Sequence, residues 1–225
     1  MKERWTGLPI LIIGVLLVVS SSNINWGKEH WKTVLQADAK GYYAYLPALF
    51  IYQDPNFGFF DAIEREKYHD PNLFYDYRAN HNGDLINKYF LGTALAQLPL
   101  FGVAHAYALA TDGPADGYSK PYTIAVNFSA ITWVLIGLLC MASLLRTYSV
   151  APVWIAVSLV AFTFGTNLFY YAVIAPGMSH AYSFGLCSAF LLVGRSVLQR
   201  PERKHILLLG LLLGIIVLIR PVNGI

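Results

Sequence analysis

One carboxylate opens the stretch from Gln36 to Tyr52, which is otherwise mostly apolar and aromatic. If the stretch is helical, Asp38, Tyr42, Tyr45 and Leu49 share one face, because residues at i, i+4, i+7 and i+11 align. Such a face suits a membrane interface, where tyrosines are enriched. A carboxylate at its polar end could act as a general base. The alternative is a solvated Asp38 on an ordinary amphipathic helix.

Two cations and a histidine adjoin apolar stretches. Lys88 precedes one and is either a snorkelling anchor or a cation for a lipid-linked phosphate. Arg220 ends another and marks either the membrane boundary or an anion-binding site, since guanidinium can bind phosphate through two hydrogen bonds. His180, next to Ser179, is either a packing residue or a functional one.

The sequence His81-Asn-Gly-Asp84 is a turn signal, because Asn-Gly favours the backbone of tight turns. Its two ends, His81 and Asp84, are polar and lie in the same long polar region as Asp38 and Lys88. Together with Tyr42, they complete the set of candidate substrate-binding residues.

Composition sets the class of protein. Of 225 residues, 56% are hydrophobic and 13% are charged, whereas soluble domains carry about 25% charged residues. The chain therefore reads as an integral membrane protein. No basic stripe indicates a nucleic-acid partner. Both cysteines, Cys140 and Cys187, lie in apolar runs, so neither a disulfide framework nor a zinc site is expected.

The apolar runs predict an all-α, polytopic membrane protein with about five transmembrane helices and two interfacial helices in a long outer loop. The proline at Pro47 should kink or end the first interfacial helix. The predicted segments are a first span at 5–24, an outer loop at 23–120, interfacial helices at about 31–53 and 88–110, and later spans at about 121–145, 151–173, 181–199 and 206–220.

Charge distribution decides whether 88–110 crosses the membrane. Residues 89–111 carry no formal charge and are long enough to span. If they cross, Arg146 and the basic residues of 195–204 fall outside. If they do not, those residues join Lys2 and Arg4 in the cytoplasm, and nearly all the acids lie outside. The positive-inside rule favours the second arrangement, with the candidate site residues on the outer side.

Four short motifs follow one another along the chain: the acid in the first loop, the segment Gly83 to Gly92 before Leu-Pro-Leu-Phe, the segment Pro176 to Phe184 and the segment Ile219 to Asn223. In order and sidedness they resemble bacterial membrane glycosyltransferases of the GT-C superfamily. Relatives there include the dolichyl-phosphate-mannose protein mannosyltransferases and the aminoarabinose transferase of lipid A. The resemblance covers essentially the whole chain, as the N-terminal half of such an enzyme.

The resemblance implies transfer of a sugar from a polyprenyl-phosphate donor to a glycan, lipid or protein acceptor, on the outer face of the bacterial inner membrane. Asp38 matches the catalytic acid of the first loop, and Lys88 matches the lysine near the donor phosphate. His180 and Arg220 match polar positions at the outer ends of later spans. A divalent cation is the one cofactor that the resemblance suggests. Ala175, however, stands where the family often has a second acid, which argues against a carboxylate-bound metal.

Two other classes stay open. A transporter or flippase subunit for lipid-linked sugars would also carry outer cations, although transporters tend to place charges near the midplane. A non-catalytic membrane protein needs no site at all. Because the chain ends directly after its last apolar run, we expect the N-terminal part of a longer protein, inactive alone; further spans or an outer domain beyond Ile225 would support the transferase.

Overall fold

The computed structural model describes residues 4–224, with the side chains from position 7 onward. The protein is an all-α polytopic membrane protein, as the sequence predicts. Within these residues, four helices are long and apolar enough to cross a membrane: Gly7–Asn25, Gly92–Ala110, Lys120–Thr147 and His180–Gln199. The helices are α1 Arg4–Asn25, α2 Asp38–Pro47, α3 Gly92–Ala110, α4 Lys120–Thr147, α5 Pro152–Phe164, α6 Leu168–Val173, α7 His180–Gln199 and α8 Arg203–Ile219.

In the described part of the chain, a bundle is formed by the helices α1, α4, α5–α6, α7 and α8. At one end, Asn25 of α1 donates to the Val173 carbonyl of α6, and Arg220 after α8 lies 3.4 Å from His180 of α7. At the other end, the Arg195 guanidinium of α7 lies over the ring of Tyr148, which follows α4. Thus α1, α5–α6 and α8 run towards the first end, and α4 and α7 run away from it. Of the predicted cytoplasmic flank, Lys2 lies outside the described residues.

The bundle core consists mainly of branched aliphatic side chains and alanines, with Tyr182 also fully buried. Ile13, Leu17, Leu138, Leu159 and Ile219 are all at most 1% exposed. The outward-facing residues of the same helices are also apolar and exposed, as expected where lipid is the solvent. The same helices are therefore apolar on both their inward-facing and their outward-facing sides.

Helix α3 packs along the first half of α4 and beside the end of α8. A Cβ on Gly92, at its start, would overlap the backbone of Leu218 and Ile219 at the end of α8. Near its other end, His105 Nδ1 lies 2.6 Å from Tyr122 Oη, in the first turn of α4. Although α3 is long enough to span, these contacts pair it with the first half of α4. Its interfacial placement stays a prediction.

Residues 26–119 form a second layer on the end of the bundle where α7 begins; we call this layer the cap. Its core is aromatic and includes Tyr43, Phe60 and Tyr77, each at most 1% exposed. A hairpin, β1 Arg78–His81 and β2 Asp84–Asn87, pairs His81 with Asp84 across Asn82 and Gly83, which both have positive φ. The predicted turn is therefore confirmed, and this short hairpin is the β-structure in the described part of the chain.

The first interfacial helix differs from the prediction in three respects. The helix expected at 31–53 begins only at Asp38, after a 3₁₀ turn at His30–Thr33. At Pro47, which has no N–H to donate, the α-helix gives way to a π-helical turn, Ala48–Tyr52. Instead of lying on the surface, α2 is enclosed: eight of its ten residues, Tyr42 among them, are buried.

The predicted span at 151–173 is not one helix but two, α5 and α6. The Thr166 hydroxyl donates to the Phe162 carbonyl at 2.6 Å and accepts from the Leu168 N–H at 3.1 Å. These side-chain bonds compete with the helical ladder, and Gly165 weakens it further. The break lies beside the histidine that begins α7.

Candidate functional site

The Asp38 carboxylate is held by a tyrosine from a distant part of the chain. Tyr89 Oη donates to Asp38 Oδ1 at 2.6 Å, and Tyr75 Oη bonds Tyr89 Oη in turn. Burial and the hydrogen bond to Asp38 raise the pKa of Tyr89, so the phenol keeps its proton and remains a donor. Among the described residues, no hydrogen bond reaches Asp38 Oδ2. One oxygen is thus fixed while the other stays available.

The backbone before Asp38 is strained. Ala37 has φ 45° and ψ −126°, a conformation that glycine adopts far more readily than a residue with a Cβ. Such strain costs about 1–3 kcal/mol and persists only where the surrounding structure enforces it. Strained residues cluster at functional sites, and this one sets the direction in which Asp38 enters α2.

A close approach of two elements positions Tyr89. A Cβ on Gly41 would overlap the Tyr89 ring, so only glycine lets the ring lie against α2. Asn87 Nδ2 donates to the Gly41 carbonyl at 2.8 Å, and Tyr45 Oη donates to the Tyr89 carbonyl at 2.6 Å. The Tyr42 ring meets the Tyr89 ring edge to face at 5.0 Å. Tyr42 therefore supports the ring that holds Asp38.

The start of α7 and the end of α8 bring His180 and Arg220 together, with Arg220 Nη1 3.4 Å from His180 Nε2. A Cβ on Gly177, three residues before His180, would overlap the Cβ of Ala39, the residue after Asp38. The start of α2, which carries Asp38, therefore packs against the turn that leads into α7, and the sequence-predicted residues Asp38, His180 and Arg220 lie in one region of the fold.

The polar groups at this place are incompletely satisfied. Within the described residues, Arg220 forms no ion pair with a carboxylate, and buried Ser179 Oγ and His180 Nδ1 have no hydrogen-bond partner. The N-terminus of a helix also carries a partial positive charge, which favours anions. A half-buried guanidinium beside the start of α7 is therefore an arrangement that suits a phosphate group.

An open groove of about 520 Å³ leads away from His180 along the break between α5 and α6. Phe162, Leu168 and Phe184 form much of its wall, and Tyr171 stacks on His180 with ring centroids 3.8 Å apart. Tyr171 also lines a cavity of about 240 Å³ that reaches Ala37 and Ala39, on either side of Asp38. The groove and the cavity thus meet at Tyr171, which stacks on His180.

The hairpin carries the remaining predicted residues. Lys88 is exposed; its Nζ donates to the Asp76 carbonyl at 2.8 Å and lies 5.7 Å from the centre of the Tyr75 ring. Since Tyr75 bonds Tyr89, Lys88 lies at the rim of the site, one ring away from the tyrosine that holds Asp38. His81 and Asp84 lie exposed at the hairpin turn, and no described contact joins them to Asp38.

Sequence reasoning missed the tyrosines that organise the site, Tyr75, Tyr89 and Tyr171. Tyr89 follows Lys88 directly in the motif, but nothing in the pattern indicated a partner 51 positions away. The chain has 15 tyrosines, so residue type alone could not single out these three.

No three His, Cys, Asp or Glu side chains in the described part of the chain are grouped so that they could hold a metal ion. Comparison with family models, with curated proteins and with solved structures finds no match for this chain. The function must therefore be argued from the residues of the site and from its position at the end of a membrane bundle.

Proposed function

We propose that the protein is a membrane glycosyltransferase that moves a sugar from a polyprenyl-phosphate donor to a glycan, lipid or protein acceptor. The proposed side of action is the outer face of the bacterial inner membrane. The observation that carries the proposal is the placement of two groups in one region of the fold: Asp38, which has one tethered and one available oxygen, and Arg220, which forms no ion pair among the described residues and contacts His180 at the head of an apolar groove.

The groove supports a lipid-linked donor. A polyprenyl chain needs an apolar surface that continues into the bilayer, and the groove between α5, α6 and α7 has apolar walls on membrane helices. Its polar head is His180, next to Arg220 and the start of α7. A phosphate there would receive hydrogen bonds from the guanidinium and the favourable field of the helix N-terminus.

Asp38 suits the chemistry of the acceptor. A sugar or protein hydroxyl is a poor nucleophile, and a carboxylate that takes its proton accelerates attack by about 10²–10⁴-fold. In the proposed step the hydroxyl oxygen bonds to the anomeric carbon, and the bond from that carbon to the phosphate oxygen breaks. The bonding pair leaves with the polyprenyl phosphate, and the hydroxyl proton passes to Asp38 Oδ2. A single displacement inverts the anomeric centre.

The leaving phosphate needs charge stabilisation rather than a proton, because it is already a weak base. Arg220 is the cation placed to supply it, and loss of one such donor costs about 3 kcal/mol of transition-state stabilisation. Lys88, at the rim, is proposed to attract the phosphate during entry. Tyr42 acts through Tyr89, whereas His81 and Asp84 are left to contact only a large acceptor that reaches the hairpin.

The test compares two Asp-to-Asn substitutions in the cap. Asp38→Asn keeps the shape of the side chain and its bond from Tyr89, but an amide cannot accept the hydroxyl proton. We expect transfer to fall by at least about 10²-fold while donor binding stays near wild type. The matched control is Asp112→Asn, since Asp112 is exposed in the loop before α4, and it should leave transfer unchanged.

Transfer is measured with radiolabelled polyprenyl-phosphate sugars in membranes, and donor binding is measured on purified protein in nanodiscs. Near-normal transfer by Asp38→Asn would remove Asp38 from the mechanism. Donor binding and movement across the bilayer without any transfer would instead favour a carrier for lipid-linked sugars.

A further inference from the structure

A second pocket, of about 550 Å³, opens in the cap. It lies between the 3₁₀ turn His30–Thr33, the side chain of Lys40 and the segment 63–73. Its lining does not include Asp38, His180 or Arg220. Its volume falls in the range of pockets that bind small molecules. The candidate transfer site therefore does not account for it.

A buried ion pair lies in the wall of this pocket. Lys40 Nζ donates to Glu64 Oε2, and the two residues are only 7% and 6% exposed. Burial raises the pKa of Glu64, and the hydrogen bond and charge of Lys40 oppose that shift. Desolvating two charges is expensive, and a pair of apolar side chains would often be as stable. A pair kept at the wall of a cavity is better explained by a ligand than by stability.

The pair has unused hydrogen-bonding capacity. An ammonium has three donors, and a carboxylate has two oxygens. Among the described residues, Glu64 is the one hydrogen-bond acceptor for Lys40 Nζ, and nothing donates to Glu64 Oε1. A ligand that completes the pair must accept from the ammonium and donate to the carboxylate. Hydroxyl groups do both, and because the pair is neutral as a whole, the ligand need carry no net charge.

The opposite wall supplies aromatic surface. Trp31 and Tyr68 meet edge to face, with ring centroids 5.8 Å apart, and both line the pocket. Tyr68 is fixed in place because its hydroxyl donates to Asp116 at 2.6 Å. Rigid aromatic rings beside a few convergent polar groups are typical of small-molecule sites. They present apolar faces to the carbon–hydrogen surface of a sugar ring while its hydroxyls reach the ion pair.

We infer that this pocket binds a saccharide unit, with hydroxyls on Lys40 and Glu64 and a ring face against Trp31 and Tyr68. Its role as the place where a glycan acceptor docks rests on the proposed function; saccharide binding itself does not. A glycan held here would be anchored in the cap, away from the membrane groove, and would leave the donor groove free.

The experiment measures binding of methyl glycosides and their disaccharides to the purified full chain in nanodiscs, by saturation-transfer NMR. The double variant Lys40→Met/Glu64→Leu replaces the pair with apolar side chains and should weaken the best saccharide at least about tenfold, since hydrogen bonds to charged groups contribute that much or more. Trp31→Ala, which leaves the pair in place, should weaken it similarly. Trp154→Ala, at an exposed position of α5, is the matched control and should bind normally.

Circular dichroism and thermal unfolding establish that each variant is folded. The inference is overturned if no saccharide of the panel binds, or if the double variant binds the best saccharide as tightly as wild type does. Its failure is distinct from that of the proposed function, because saccharide binding is measured without donor or transfer, and donor binding is measured without any saccharide acceptor.

Discussion

The bundle and the cap each bury a packed core, but the two cores are made of different side chains. In the bundle, aliphatic residues such as Leu138 and Leu159 pack inside, and equally apolar residues such as Leu139 face outward. In the cap, aromatic rings form the core, and their hydroxyls are tied to polar groups: Tyr43 donates to the Gly117 carbonyl and Tyr68 to Asp116. The bundle is therefore apolar both inside and outside, as expected of helices in lipid, whereas the cap combines an aromatic core with hydrogen-bonded polar groups.

The difference determines which groups each region can bury. Between bundle helices, a polar group is held by amides and carbonyls, as Asn25 and Asn127 are at the Val173 carbonyl. The cap also buries a full ion pair, Lys40 and Glu64. The candidate transfer site lies where the two regions meet and draws Asp38 from the cap and Arg220 from the bundle.

The largest expected effect on stability concerns the buried ion pair. Lys40→Met alone leaves Glu64 buried without its counter-charge, and we expect the free energy of unfolding of the cap to fall by about 3–5 kcal/mol. Adding Glu64→Leu removes the stranded charge and should restore most of that loss. Denaturant unfolding of the purified protein, followed by tryptophan fluorescence, measures the free energy of unfolding of the single and the double variant. A single variant as stable as the double variant would mean that water reaches the pair.

A smaller effect is expected in the bundle. Leu138 of α4 is fully buried, so Leu138→Ala leaves a cavity and should lower the free energy of unfolding by about 3 kcal/mol. Its neighbour Leu139 is 52% exposed and contacts lipid, which can fill the vacated space. Leu139→Ala should therefore change stability by less than about 0.5 kcal/mol. Unfolding in mixed micelles measures the free energy of unfolding of both variants. Equal losses would contradict the assignment of inner and outer faces.

The smallest expected effect is pH-dependent and concerns Asp116 in the cap. Burial alone would raise the pKa of Asp116, but hydrogen bonds from Lys67, Tyr68 and the backbone N–H groups of Tyr118 and Ser119 lower it below its ordinary value. A lowered pKa means that the stabilisation is fully present above the ordinary pKa and is lost as the pH falls through the folded-state pKa.

Asp116→Asn should therefore lower cap stability by about 1–2 kcal/mol at neutral pH. It should also flatten the decline in stability that wild type shows between about pH 5 and pH 2. Thermal unfolding across that range is the measurement, and Asp112→Asn is the control because Asp112 is exposed. An equally steep acid decline in Asp116→Asn would assign the effect to other carboxylates.

The sequence determined the class of the protein and most of its apolar elements. Long uncharged runs predict membrane helices because lipid accepts only helices whose side chains are apolar. Asn82-Gly83 predicted its turn, and Pro47 predicted the end of α2, because both act through local backbone geometry. The break at Gly165–Asn167 was missed since a hydropathy pattern does not register the Thr166 hydroxyl that competes with the helical hydrogen bonds.

Only the tertiary structure decided which polar residues meet. Asp38, His180 and Arg220 were each singled out by residue type and position. The contact of His180 with Arg220, and the packing of the start of α2 against the turn before α7, depend on how α7 and α8 pack beneath the cap. The partner of Asp38, Tyr89, and the pairing of Lys40 with Glu64 are contacts between distant segments that no periodicity encodes. Periodicity indicates which face of an element is buried. The hydrogen-bond partners of a carboxylate or an ammonium depend instead on how whole elements pack, and that packing is determined by the sum of many side-chain contacts.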